Sequence, residues 1–174
     1  MMAGVGVHSI RAYCESDLEA VALLFTASVH HVADQYYDAN QLAAWAPQPP
    51  DLSDWAQRLA SVETLVAEVG GKLAGFLSYE LNGHIDLLYT SPVTCRRGVA
   101  SALYRHAEMS LLARGVKELF TEASLAARPF FERHGFEVTE EQRVQRRGVV
   151  FLRYAMRKSV VEHRALSGHP TRLS

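Results

Sequence analysis

The pattern of apolar residues predicts an α+β fold built on a mixed sheet, and three observations point to it. Strand-length apolar runs follow one another across the tight-turn pairs Gly70-Gly71 and Asn82-Gly83, as antiparallel hairpins require. A further run is reached only through a long helical stretch, and a helical crossover joins parallel strands. Helical periodicity near the N-terminus supplies a layer to cover the sheet.

In order along the chain, Ile10 to Tyr13 reads as the first strand. Ser16-Asp17 precedes a helix from Leu18 to about Val32, whose stripe holds Val21, Leu24, Phe25 and Val29, and such short polar side chains can accept from the first free amides. A shorter helix covers about Asn40 to Trp45, the proline-rich Pro47 to Pro50 breaks it, and Ser53 opens another through Leu59. Strands are expected at Thr64 to Val69, Leu73 to Tyr79 and His84 to Thr90, where Ser91-Pro92 stops the last. Val99, Leu103, Ala107 and Leu111 share one helical stripe that Arg114-Gly115 closes, and Glu118 to Ala123 follows as the parallel strand. A short helix with Pro129 in its first turn and Gly135 at a left-handed cap leads to strands near Phe136 to Arg143 and Val149 to Met156. Residues 1–158 are expected to form a single domain, and 159–174, with little apolar pattern, a mobile tail.

Bulk composition excludes several classes of protein. With 174 residues and 48% hydrophobic composition, the chain is neither disordered nor too small for a sizeable core. Eighteen Lys and Arg against nineteen Asp and Glu leave a net charge of -1, which argues against a nucleic-acid partner. Arg143, Arg146 and Arg147 form a local basic patch that reads as a solvated strand face. Cys14 and Cys95 are too few for a disulfide framework and have no metal-ligand spacing, so no metal is expected and a reducing cytoplasm is the expected location. No apolar run approaches the roughly 20 residues that span a bilayer, and no membrane partner is expected.

The segment Leu87 to Leu103, LLYTSPVTCRRGVASAL, is the most informative part of the chain. A buried strand passes through a basic, glycine-containing turn directly into a helix. The first amides of a helix lack intrahelical partners and carry about half a positive charge, so they bind anions. Gly98 and the small Ala100 let backbone approach phosphate oxygens, while Arg96 and Arg97 add charge; taken alone, these residues also read as an ordinary strand-to-helix turn with a solvated basic pair. Neither GxxxxGK[ST] nor the three glycines of a dinucleotide fingerprint is present.

Leu88-Tyr89-Thr90-Ser91-Pro92 followed by Cys95-Arg96-Arg97-Gly98-Val99-Ala100 resembles the acetyl-CoA signature of the GNAT N-acetyltransferase superfamily. There a strand ending L-Y-V-x-P leads into Q/R-x-x-G-x-G/A, and Cys95 stands where glutamine or arginine is usual. Downstream, Ser124, Ala127, Phe131, Gly135 and Phe136 follow the spacing of the family's N-x-x-A-x-x-F-Y-x-x-x-G-F. The resemblance covers roughly Ile10 to Lys158, and PFFERHGF with QRVQRRGVVF resembles the YafP-like branch.

This resemblance implies a GNAT-like fold, with a mostly antiparallel central sheet, one parallel splayed strand pair and flanking helices. It implies acetyl-CoA as co-substrate and transfer of acetyl to a primary amine of a small molecule by direct attack on the thioester. Backbone at Leu88, Tyr89 and Thr90 would hold the acetyl and pantetheine arm. Amides from Arg96, Arg97, Gly98, Val99, Ala100 and Ser101 would hold the pyrophosphate, with Ser124 and Phe131 also facing the cofactor. Alternatives remain: a protein amino group as acceptor, or a non-catalytic acyl-CoA-binding module, the latter motivated by Cys95 and Phe131. The oligomeric expectation is monomer or homodimer.

A proton acceptor is required, because a free primary amine is mostly protonated near neutral pH. Period-two alternation puts His84, Asp86 and Leu88 on one face unless a bulge shifts the phase. Asp86 and His84 are the candidates, with Glu122 on the neighbouring strand; Asp86 reads equally as a strand-end acceptor and His84 as a turn residue. Phe131 stands where many relatives carry a tyrosine acid, and Tyr154 is the candidate substitute. His30, His31, Tyr36, Tyr37 and Trp45 read either as an aromatic acceptor cleft or as core filling.

Overall fold

A computed structural model describes residues 9–32, 35–94 and 97–161. Strand β1, Ser9–Ala12, leads through a 3-10 turn at Glu15–Asp17 into helix α1, Leu18–Val32, and then α2, Ala39–Trp45, and α3, Leu52–Ala60. Strands β2, Glu63–Val69, β3, Lys72–Tyr79, and β4, His84–Thr90, precede α4, Val99–Ala113, and β5, Glu118–Ser124. Helix α5, Arg128–Arg133, and strands β6, Glu137–Arg146, and β7, Val149–Ser159, complete the described chain. The seven strands form one sheet in the order β1-β2-β3-β4-β5-β7-β6, and only β4 and β5 run parallel.

Two apolar layers cover the sheet. On one face α1, α2 and α3 pack Val21, Phe25, Val29, Trp55 and Leu59 against Val66, Phe76, Leu87 and Phe151. On the other, Val99, Leu103, Ala107 and Leu111 of α4 join Phe131 of α5 against Ala74, Leu77, Ile85, Leu119 and Met156. Burial of these side chains supplies the main stabilisation, at about 1.5–3 kcal/mol for each large one. Gly75 brings α4 close to β3: a Cβ there would lie 2.9 Å from Val99 Cγ1 and 3.0 Å from the Tyr89 carbonyl oxygen.

Local chemistry shifts several element boundaries. Asp51, not Ser53, caps α3, accepting from the Ser53 and Asp54 amides at 2.9 and 3.1 Å. Ser16 and Asp17 lie inside the 3-10 turn, where the Asp17 carboxylate accepts the Cys14 amide at 2.9 Å. Two hydrogen bonds from the Arg11 guanidinium hold that carboxyl well below the usual carboxylate range. The last strands run longer than the apolar pattern predicts, because pairing with each other and with β5 continues through residues that are polar on the exposed face. Ser159 accordingly ends β7, and residues 162–174 of the expected tail lie outside the described residues.

Among the described residues, no helix is long and apolar enough to cross a membrane. The Asn82-Gly83 turn docks on the start of β5, where Phe120 N donates to Gly83 O at 3.1 Å. Gly83 has φ 104°, and an added Cβ would meet the Glu118 carbonyl oxygen at 2.3 Å. Gly83→Ala is therefore expected to lower unfolding stability by about 2–3 kcal/mol or more. Urea denaturation would measure this, and an unchanged midpoint would show that the turn relaxes freely.

Candidate active site

The site begins where the two parallel strands stop pairing. Only His84 with Phe120 and Ile85 with Thr121 are in register. The Thr121 hydroxyl donates to the Ile85 carbonyl at 2.8 Å and closes this last rung. On its other side β4 carries a bulge: Ser78 pairs with Leu87 and Tyr79 with Ile85, which leaves Asp86 as the extra residue. A bulge kinks its strand and resets the alternation of faces. Beyond it β4 diverges from β5.

This phase shift corrects the simple alternation expected from the sequence. Leu87 and Tyr89 pack on the α1–α3 face and Leu88 on the α4–α5 face. Asp86 reaches Arg58 of α3, so Leu88 does not share its side. His84 stacks on Phe120 of β5, and both its ring nitrogens meet carboxylates at 2.6 Å: Nδ1 with Glu80 and Nε2 with Glu122. Burial opposes charge on His84, but the two carboxylate hydrogen bonds outweigh it and raise its pKa above the ordinary 6.5. The His84 amide also donates to Asn82 Oδ1, so the turn holds this residue as well.

A cavity of about 140 Å³ occupies the gap between the diverging strands. Residues from Ile85 to Tyr89 and from Thr121 to Ser124 form two walls, with Ala127 and Phe131 towards α5. Of the three predicted acid–base residues, Asp86 and Glu122 line it, and His84 sits behind Glu122. The Arg58 guanidinium donates to Asp86 Oδ1 at 3.2 Å. Tyr89 lines the wall too, and burial pushes its phenol up to about 12 despite the pull of Arg58 and Arg146.

The open edge of β4 offers backbone donors. The Ser91 amide bonds to Ala74 O of β3 at 2.8 Å. By period-two alternation, the amides of Leu88 and Thr90 turn the opposite way, towards the gap. At the end of this edge Gly98 caps α4 with φ 79°, and no side chain bonds to the first helical amides from that cap. Glycine is needed there for its backbone angle, since an added Cβ would meet nothing within 4 Å. The first backbone bond into the helix is Ala102 N to Gly98 O, so the amides of Val99, Ala100 and Ser101 precede the ladder. Arg97 is exposed beside them, Val99 buries its side chain, and Ser101 Oγ lies 3.1 Å from His134 Nε2. Cys95 and Arg96 lie outside the described residues.

The other expected residues fall in separate places. Ser124 and the buried Phe131 line the cavity, and Ser124 Oγ also accepts the Ala127 amide at 3.2 Å. Tyr154 does not line it: the ring is buried in the α4–α5 layer, with the Arg128 guanidinium 4.5 Å from its centroid. Tyr37 and Trp45 line the cavity, whereas His30 bonds to Ala46 O at 2.8 Å and His31 and Tyr36 are exposed. The Tyr37 hydroxyl accepts the Leu125 amide at 3.2 Å. Three lining residues that the sequence reading missed are Arg58, Arg146 and Arg153. Arg146 is thus not simply part of a solvated strand face. Its parity with Val144, and that of Arg153 with Phe151, was the available signal, because both apolar neighbours belong to the α1–α3 layer.

A parallel strand pair that splays beside an uncapped helix start is the arrangement that the sequence resemblance implies. A family profile described as an acetyltransferase (GNAT) domain matches residues 33–158. The chain belongs to the GNAT acetyltransferase family. It is 38% identical over 148 residues to the "Uncharacterized N-acetyltransferase YafP" of Escherichia coli K12, covering 85% of this chain and 93% of that one. A GCN5-related N-acetyltransferase from Rhodopseudomonas palustris superposes with a TM-score of 0.85 at 31% identity, covering 92% of this chain and 99% of the other. The PaiA N-acetyltransferase of Thermoplasma acidophilum, solved in complex with coenzyme A, superposes at 0.70 with 19% identity, covering 88% and 99%.

The His84 cluster has a consequence for stability. Its folded-state pKa is raised, so its contribution is complete below pH 6.5 and is lost as the pH climbs through the raised value. Urea unfolding of the wild type and His84→Gln across pH 5.5–9 would isolate this. The difference in stability between them is expected to shrink with rising pH; a constant difference would remove the linkage.

Proposed function

We propose that the protein is an acetyl-CoA-dependent N-acetyltransferase acting on a primary amine of a small molecule. The observation that carries this reading is the gap between β4 and β5 on a strand that leads, through one turn, into the uncapped start of α4. Residues at both ends suit the cofactor: the amides at α4 suit a pyrophosphate, and the outward amides of Leu88 and Thr90 suit its amide-bearing arm and acyl carbonyl. When bound, acetyl-CoA supplies an activated acyl group. Two cysteines in the whole chain accord with a reducing, cytoplasmic setting.

The chain's own residues then divide the work. Leu88 and Thr90 amides donate towards the carbonyl oxygen on which negative charge grows. Asp86, fixed by Arg58, holds the incoming ammonium at the vertex of the gap. Glu122 takes the proton from the amine and passes it to His84, which passes it to the partly exposed Glu80. Both contacts in that chain are 2.6 Å, and proton transfer needs such reach. Phe131 has no hydroxyl to give a departing thiolate. Tyr37, which lines the cavity, has one: its oxygen accepts from Leu125 N, which leaves its own proton available to donate.

The cofactor assignment is tested with Gly98→Glu, which puts a carboxylate at the start of α4. Calorimetric affinity for coenzyme A is expected to fall at least about tenfold with the circular dichroism spectrum retained. Unchanged affinity would remove α4 from the binding site. The chemistry is tested with Glu122→Gln, expected to lower kcat about 10²-fold or more in a thiol-release assay over a panel of amines. In the wild type kcat should rise with pH above 6.5 as His84 loses its proton, and His84→Gln should flatten that rise. Full activity in Glu122→Gln would assign the proton transfer to another group.

A further inference from the structure

Of the side chains lining the cavity, three are guanidinium groups, and they arrive from three separate elements: Arg58 from α3, Arg146 from the end of β6 and Arg153 from β7. Among the same lining residues is Asp86, already bonded to Arg58 at 3.2 Å. The other lining acid, Glu122, is held by His84 at 2.6 Å. Arg153 uses its Nε on Gln142 Oε1 at 2.8 Å, a neutral partner. Among the described residues Arg146 makes no ion pair at contact distance, although the Asp86 charge acts on it.

These arginines are not placed for the cofactor's phosphates. Val144 and Phe151, which share their strand faces, pack in the α1–α3 layer, and Arg58 lies on α3 itself. The uncapped amides of α4 are on the other face of the sheet. The cavity passes between the strands and joins the two sides, so what meets the arginines is what enters opposite the acyl donor. Arg146 is exposed overall, yet partial burial lowers its pKa, and the like charges of Arg58 and Arg153 add to that effect against the opposing pull of Tyr89 and Asp86. Guanidinium forks match carboxylate and phosphate oxygens two at a time.

We propose, resting on the acyl-transfer reading above, that the acceptor is an amine that also carries a carboxylate or phosphate group, and that Arg146 and Arg153 bind that group. The acceptor's ammonium then lies at Asp86 and Glu122 and its anion at the arginines, which balances charge along the wall. Phe25, Trp45 and Phe151 supply the apolar surface around it.

The test uses matched pairs: phenylalanine against phenethylamine, and O-phosphoethanolamine against ethanolamine. For each, kcat/KM with acetyl-CoA is measured by thiol release, and affinity for the coenzyme A-loaded protein by calorimetry. In at least one pair the anionic member is expected to exceed its neutral partner about 10- to 100-fold. Arg146→Met with Arg153→Met should collapse that ratio towards one, whereas Arg146→Lys keeps part of it. A structural role alone would lower both members of a pair together. Ratios near or below one in the wild type, or a ratio unaltered in the double variant, would overturn the proposal. If no amine is turned over, the acyl-transfer reading fails and calorimetry decides the anion site alone. Tighter binding of an anionic member that the double variant loses upholds it; equal or undetectable binding of both members overturns it.

Discussion

Two parallel strands that pair for only two residues govern the rest of this protein. The Thr121 hydroxyl fastens the last rung to the Ile85 carbonyl, and one residue later the bulge at Asp86 turns β4 aside. Continued pairing would fill the gap with a backbone ladder and leave no cavity. Because pairing stops there, one edge of β4 keeps its outward amides, and the carboxylates of Asp86 and Glu122 face each other's strand across a space. The strain of a bulge is supported by the packed layers above and below, each anchored by fully buried residues such as Phe76 and Leu103.

The sheet also separates the two sides of the proposed reaction. On one face α4 and α5 present backbone donors and small or apolar side chains, including Gly98, Ala127 and Phe131. On the other, α1 to α3 with the ends of β6 and β7 present aromatic rings and guanidinium groups. The two faces differ physically: main-chain amides can be supplied by many sequences, whereas charge must be supplied by particular residues. Phe131 belongs to the first group and shapes the wall without chemistry of its own.

Electrostatics at the vertex hold the His84 pKa above its ordinary value. His84 is partly shielded from water, which alone would discourage its charge, yet two carboxylates at 2.6 Å reverse the balance. The same contacts that stabilise the fold at lower pH therefore set the range in which an imidazole there can accept a proton. Arg58 and Asp86 form a neighbouring pair in which each charge answers the other, and such part-buried pairs hold geometry more than they add stability.

Read by itself, the sequence determined whatever depends on neighbours along the chain. The alternation of apolar residues, the Gly70-Gly71 and Asn82-Gly83 turns and the stripe Val99, Leu103, Ala107, Leu111 set element order to within a few residues. The start of α4 was readable because a cap and its free amides are local, and Gly98 announces the turn through its backbone. Tertiary structure alone decided which side chains share the cavity. The bulge at Asp86 is invisible in a six-residue apolar run, since it arises from register with β3, and it moved Leu88 to the opposite face from Asp86. Arg58, Arg146 and Arg153 are distant in sequence and look like surface charge one at a time; only the closing of the sheet by β7 against β5 brings them to one wall, because a charge cluster is a property of spatial distance and not of spacing along the chain.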